Sequence, residues 1–296
     1  MLIQTLLVAV CLTSQTKIEP AHAQNSVFAD VLSHGVQAGG QTITLPPPRL
    51  VDGQSADLER ALLREVAESD RAVDEMLRDS VTAPYIIKVR DQKESGATIR
   101  MADLWFVVYA PLEKIDPVRE VARADQKKVE VANMSVETRM LKADEIRAAG
   151  IKPADSVARQ ADWYAHVHAR LLDRIEFDVT NHGAVSQSTD SMVVASRTDP
   201  SFDKAESNAN CWRSVTVTGG ASAVNPAKQP YSGGISYAKI SRCALKPGAL
   251  VVEMHVAFVE PDGWFQGAPI LRSKFGVIAQ DQIRTLRREL AKKRAK

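Results

Sequence analysis

The chain has 296 residues, 45% of them hydrophobic, 25% charged and 5% aromatic, with 38 Lys and Arg against 36 Asp and Glu for a formal net charge of +2. These globular proportions exclude a disordered chain, a collagen-like repeat and a bundle of membrane spans. The balanced charge also speaks against a dedicated nucleic-acid binder, whose domains carry a marked basic excess.

Leu2 to Leu12 reads LIQTLLVAVCL, an apolar run of 11 residues. At about 1.5 Å per residue it is too short to cross a hydrocarbon core of about 30 Å. Ala21-His22-Ala23 then supplies the small-x-small pattern of a signal peptidase site. Residues 1–23 are therefore expected to be a secretory signal cut after Ala23, giving a soluble protein that is secreted or periplasmic. The cysteines left after such a cut are Cys211 and Cys243, 32 positions apart. In an oxidising compartment they are expected to pair, and the closed loop stabilises by about 3–4 kcal/mol in the chain-entropy model.

From Gln24 to Gln54 the sequence is polar and contains glycines and the run Pro46-Pro47-Pro48. It reads as a flexible leader that docks near Leu50. Ser55 is placed to cap a helix over 56–79, with Asp57 and Glu59 in the first turn and Leu58, Leu62, Val66, Val73, Met76 and Leu77 along one stripe. The acids of its other face, Glu59 among them, read as solvated.

After Pro84 the pattern is β. Strands are expected at Tyr85–Arg90, Thr98–Ala110 and Lys128–Leu141, with short helical stretches at 118–127 and 143–149. Val157, Ala161, Tyr164 and Val167 recur at helical spacing, and the period changes to two from Leu171 onward. Asn181-His182-Gly183 reads as the turn of a long hairpin that returns over Val185–Arg197. Further strands are expected at 212–218, 235–245 and 249–259, then a C-terminal helix over 280–293 burying Ile283, Leu286 and Leu290. From Arg284 onward there are seven Lys and Arg and one Glu. That basic tail is where contact with an anionic membrane is conceivable, although its bland reading is charge suited to a helix C-terminus.

The fold class expected is α+β: a large, mostly antiparallel sheet of about eight strands packed with an N-terminal and a C-terminal amphipathic helix. Residues 55–296 form a single body, long enough to hold two sub-domains. A curved sheet closed over a long terminal helix is a place to enclose an apolar ligand.

Few motifs carry chemistry. His166 and His168 form an H-x-H pair, which shares a face and can ligate one metal on a strand but not on a helix; Asp162, Asp173, His182 and His255 are conceivable further ligands. Ser236-Tyr237-Ala238-Lys239 and Ser201-Phe202-Asp203-Lys204 match S-x-x-K without the K-T-G that accompanies it in penicillin-binding enzymes. The pairs Gly39-Gly40, Gly219-Gly220 and Gly233-Gly234 lack the following G-K-[ST] or G-x-G-x-x-G of a nucleotide cradle, so no cofactor is implied. Acids within strands alternate onto solvent faces, Glu176 and Asp178 reading as cross-strand charge decoration. Trp212, beside Cys211, is expected in the core near the disulfide. The function expected is an exported, non-enzymatic module that binds a small apolar ligand or an envelope protein. The alternative is a secreted hydrolase, metal-assisted through His166 and His168.

Overall fold

The computed structural model describes residues 18–38, 40–125, 127–131, 134–152, 160–218, 221–265 and 270–294. The protein is α+β. Its N-terminal part holds α1 (Ser26–Ser33), the hairpin β1 (Val36–Ala38) and β2 (Gln41–Ile43), and the helices α2 (Ala56–Ala67) and α3 (Asp70–Met76). Strands β3 (Ile86–Glu94) and β4 (Ala97–Tyr109) are followed by α4 (Pro117–Ala124), β5 (Lys127–Val131), β6 (Met134–Met140) and α5 (Ala143–Ala148). Then come β7 (Gln160–Leu171), β8 (Ile175–Gln187), β9 (Ser191–Thr198), β10 (Cys211–Thr218), β11 (Ala221–Val224) and β12 (Gln229–Pro230). The chain ends with β13 (Gly234–Arg242), β14 (Ala249–Pro261) and α6 (Ile270–Arg294).

One sheet dominates, in the order β3-β4-β14-β13-β9-β8-β7-β6-β5, with β10, β11 and β12 branching from β8. Every strand pairing in it is antiparallel. The sheet is thus larger than the expected eight strands. One reason is that Lys128–Leu141 is not one strand but the antiparallel pair β5 and β6.

Alternation along the strands gives two buried faces. On the inner face Phe106, Val108, Trp163, Ala165, Val185, Leu250 and Val252 pack with Ile283 and Leu290 of α6. On the outer face Trp105, Val107, Ala249 and Val251 pack with Leu63, Val66, Val73 and Met76 of α2 and α3. Farther along, the outer face takes α1 through Val27, Phe28 and Val31. The segment 24–54 is accordingly no flexible leader: its short apolar clusters, diluted by polar residues, are what cover the sheet.

Ser55 caps α2 by accepting from the Leu58 amide, as its position before the stripe implies. The expected single helix to residue 79 breaks, however. Glu68 takes a left-handed conformation at φ 66° and Ser69 caps α3 through the Ala72 amide. A Ser-Asp start signal inside an apolar stripe is a helix restart, and it lets the stripe turn with the sheet.

The expected helix ending at Val167 is also overturned: residues 160–171 are strand. Trp163, Ala165, Ala169 and Leu171 are buried at period two, and that alternation prevails over the sparser helical match. Asn181-His182-Gly183 lies in the middle of β8 rather than at a turn, the reversal being made by Leu172 and Asp173, both at positive φ. Gly183 is there for space: a Cβ would stand 2.3 Å from the Trp163 ring on the neighbouring strand. The last helix begins ten residues earlier than expected. Among the described residues no helix is long and apolar enough to cross a membrane.

Candidate functional site

A cavity of about 330 Å³ lies between the inner face and the first turns of α6, within the range of about 300–1,000 Å³ typical of small-molecule sites. Its floor is built by adjacent strands: Val167 of β7, Phe177, Val179 and Asn181 of β8, Ser196 and Thr198 of β9, Ser236 of β13, and Val256 and Phe258 of β14. Leu271, Phe275 and Ile278 of α6 roof it, spaced so that one helical stripe faces down. Gly233 and Gly234 line the wall. Gly233 has φ +72°, and a Cβ on it would stand 2.0 Å from Thr198 Oγ1. A Cβ on Gly234 would stand 2.7 Å from the Ala257 carbonyl oxygen. The glycine pair is therefore a packing requirement of this wall, not a nucleotide cradle.

Among the described residues no charged side chain lines the cavity. Its polar groups form a row across the sheet. Thr198 Oγ1 donates to Asn181 Oδ1 at 3.0 Å and accepts from the Gly234 amide at 3.1 Å, while Ser196 and Ser236 are cross-strand partners.

The end away from that row is aromatic. Trp264 stacks on Phe177 with ring centroids 5.6 Å apart, lies 5.0 Å from Tyr231 and meets the edge of Trp212 at 6.2 Å. Trp264 is 3% exposed and its fully buried Nε1 has no hydrogen-bond partner among the described residues; Tyr231, 5% exposed, makes no side-chain hydrogen bond to them either, its oxygen keeping a little accessible surface. A buried donor left unmade costs about 1–3 kcal/mol. Burial, and then the charge of Glu260, push the Tyr231 phenol far above its ordinary range, so it stays a donor.

Beyond this end the guanidinium of Arg100 grips Glu260 with two hydrogen bonds of 2.7 and 2.9 Å and meets Asp91 at 2.7 Å, which also pairs with Arg272. The four charges cancel.

The outer face carries a second polar cluster, and here the expectation that strand acids face solvent fails. Glu253 is 0% exposed and accepts from the backbone amides of Arg49 and Leu50, as the extended run of three prolines lays that segment across the sheet. His255 bridges Asp103 at 2.6 Å and Glu253 at 3.1 Å. Lys239, 1% exposed, meets Glu19 in a short ion pair and Asp52 at 3.0 Å, and donates to the Leu50 carbonyl at 2.9 Å. His22, 1% exposed, holds Ser186 at 2.9 Å and Ser191 at 2.8 Å.

Glu19, His22 and Asp52 stand close enough together to suggest a metal site. The donor set does not fit one: the Lys239 ammonium already provides the positive charge, and both imidazole nitrogens are engaged by serines. Sequence reading had no route to this cluster, since its members come from widely separated segments of the chain.

His166 and His168 do lie on one face of a strand, β7, as the metal reading requires. The structure joins both to a single carboxylate: Asp178 Oδ1 is 3.4 Å from His166 and 2.9 Å from His168. Arg213 takes the other oxygen at 3.2 Å and bonds Glu176 at 2.7 Å, which makes the group cross-strand charge decoration with Arg213 of β10 at its centre. Burial works to raise the Asp178 carboxyl, but the hydrogen bonds from the two histidines outweigh it and hold the group well below the ordinary range. The other conceivable ligands stand elsewhere: His182 stacks on Tyr164 near Asp162, Asp173 pairs with Arg170, and His255 is in the outer cluster.

The expected disulfide is absent: Cys211 and Cys243 are both free and buried. They belong to different surroundings. Cys211 opens β10 beside Asp178, while the Cys243 thiol donates to Glu59 at 2.9 Å under α2. Glu59 is thus buried in the core, contrary to its solvated reading. Of the S-x-x-K pairs, Ser236 faces the cavity and Lys239 the outer cluster, on opposite sides of β13. In the basic tail Arg287 turns inward onto the carbonyls of Val107 and Ala83, Lys293 pairs with Glu120 and Arg294 with Asp79.

No family model and no curated protein sequence matches the chain. Among solved structures it is similar to the crystal structure of human STARD10, at 10% identity and a TM-score of 0.32, over 86% of this chain and 81% of that one. A likeness of that degree carries no argument about function, which has to come from the cavity itself.

Proposed function

We propose that the protein is a non-enzymatic binding module that holds one small apolar molecule between the inner face of its sheet and α6. The observation that carries this reading is the cavity of about 330 Å³, walled mostly by apolar and aromatic side chains with no charge among the described residues that line it. Water gains little from so apolar a space, and an apolar occupant gains contact on every side. The cavity favours the small-molecule reading over a partner protein, and no observation favours the hydrolase.

The test is saturable binding of the neutral fluorophore N-phenyl-1-naphthylamine to the purified protein. One site per chain is expected, abolished in Ser236→Phe, which places a ring in the cavity, while the melting temperature is kept. Absence of saturable binding to the parent protein overturns the reading.

Export is part of the proposal, on the strength of the apolar run and Ala21-His22-Ala23. Glu19 and His22 lie inside the segment a cut after Ala23 removes, and their contacts with Lys239, Ser186 and Ser191 are what such a cut forfeits. The intact mass of protein recovered from its native compartment decides: a chain beginning at Gln24 supports export with that cut, and one retaining Glu19 overturns the cut.

A further inference from the structure

We infer that the molecule held in the cavity is uncharged and carries an oxygen acceptor, taken by the donors that Tyr231 and Trp264 leave unused. This rests on the binding function proposed above and narrows its ligand to neutral alcohols, ethers, ketones or esters with an apolar body.

The first support is the pair of unmade hydrogen bonds. Buried donors in folded proteins nearly always have partners. Here the backbone amides of the same two residues are satisfied, Tyr231 N by the Asn210 carbonyl and Trp264 N by that of Pro261, whereas among the described residues the buried indole N–H has no partner and no side-chain hydrogen bond engages the Tyr231 hydroxyl. Both side chains line the cavity, with ring centroids 5.0 Å apart. In the polar row Asn181 Oδ1, Thr198 and the Gly234 amide satisfy one another, and the Ser196 and Ser236 hydroxyls belong to half-buried residues rather than buried ones.

The second support is the charge around the site. An anionic headgroup buried in this cavity would meet no Lys, Arg or His among the described residues of its walls. Arg100, just beyond, is already engaged by Glu260 and Asp91. A cation fares no better, since among the described residues no carboxylate lines the space and Glu260, beyond it, is held by Arg100.

The experiment displaces N-phenyl-1-naphthylamine from the full chain at pH 8 with three probes of one length: decane, 1-decanol and decanoate. The alcohol is expected to compete at least about ten-fold better than decanoate and about three- to ten-fold better than decane. In Trp264→Phe and Tyr231→Phe its advantage over decane shrinks about three- to ten-fold, with decane unchanged. Equal competition by decane and decanol in the parent protein overturns the inference, because the donors then contribute nothing to binding. Decanoate matching the alcohol overturns it too. Either result leaves the proposed binding function standing, whereas absence of fluorophore binding removes both. If a variant fails to fold, the ranking of the three probes on the parent protein still decides.

Discussion

Gly183 of β8 lies directly opposite Trp163 of β7, and the indole occupies the space a side chain at 183 would fill. The ring must shift to admit even a methyl group, and it is packed in the inner core with Ala165 and Val185. Gly183→Ala is expected to cost about 2–3 kcal/mol and to lower the melting temperature by roughly 5–10 °C. Differential scanning calorimetry checks this, and Trp163→Leu in the same background should recover part of the loss.

Lys239 is buried among groups that need its charge. Lys239→Met leaves Glu19 and Asp52 facing each other without a cation, at a cost of about 2–4 kcal/mol given that both carboxylates keep some contact with solvent. A chain starting at Gln24 loses Glu19 and His22 instead and should fall by about 1–3 kcal/mol. Urea denaturation of the two variants beside the parent protein measures both; an unchanged midpoint in either contradicts the pairing described.

Two buried histidines act in opposite directions with pH. Burial alone would lower His255, but its hydrogen bonds with Asp103 and Glu253 prevail and hold it above the ordinary value. Its contribution is full below about pH 6.5 and is lost as pH rises through the folded value. Burial, with Lys239 beside it, keeps His22 below the ordinary value, so its contribution is present above about pH 6.5 and is lost as pH falls. Stability should therefore peak near neutrality. Urea midpoints from pH 5 to 9 are expected to show His255→Gln flattening the alkaline limb and His22→Gln the acid limb.

The thiols give a chemical check on the missing disulfide. Burial, then the Glu59 carboxylate, push the Cys243 thiol up to about 12, and burial raises Cys211 as well. Both should react with Ellman's reagent only slowly at pH 8 in a folded chain starting at Gln24, which lacks Cys11, and two thiols per chain should appear on adding denaturant without reductant. Finding none there would restore the expected pairing.

The fold class was legible because β4 and β14, two of the three longest strands, are apolar runs bounded by prolines and a Pro-Asp-Gly turn, signals that act locally. Where local signals conflicted, long-range packing decided. Gly183 resembles a turn residue until Trp163 is known to lie on it, and residues 160–167 look helical until both neighbouring strands are in place. The cavity was legible only as a place, a sheet closed by a terminal helix. Its roof residues Leu271 and Phe275 precede the stretch in which charge periodicity marks the helix, and the solitary donors of Tyr231 and Trp264 have no sequence signature at all. The outer cluster escaped for a related reason: a buried Lys239 is indistinguishable from a solvated one until Glu19 and Asp52 arrive from elsewhere in the chain.

On β13 the odd positions Tyr237 and Lys239 meet the outer cover while the even positions Gly234 and Ser236 meet the cavity. The strand therefore works as a partition with a parity. Inserting or deleting one residue ahead of Ser236 would send an ammonium toward the apolar space and a small hydroxyl toward Glu19 and Asp52, damaging both sides at once. Evolution can alter either chamber by point substitution, but it cannot slide this strand by one position without surrendering the other.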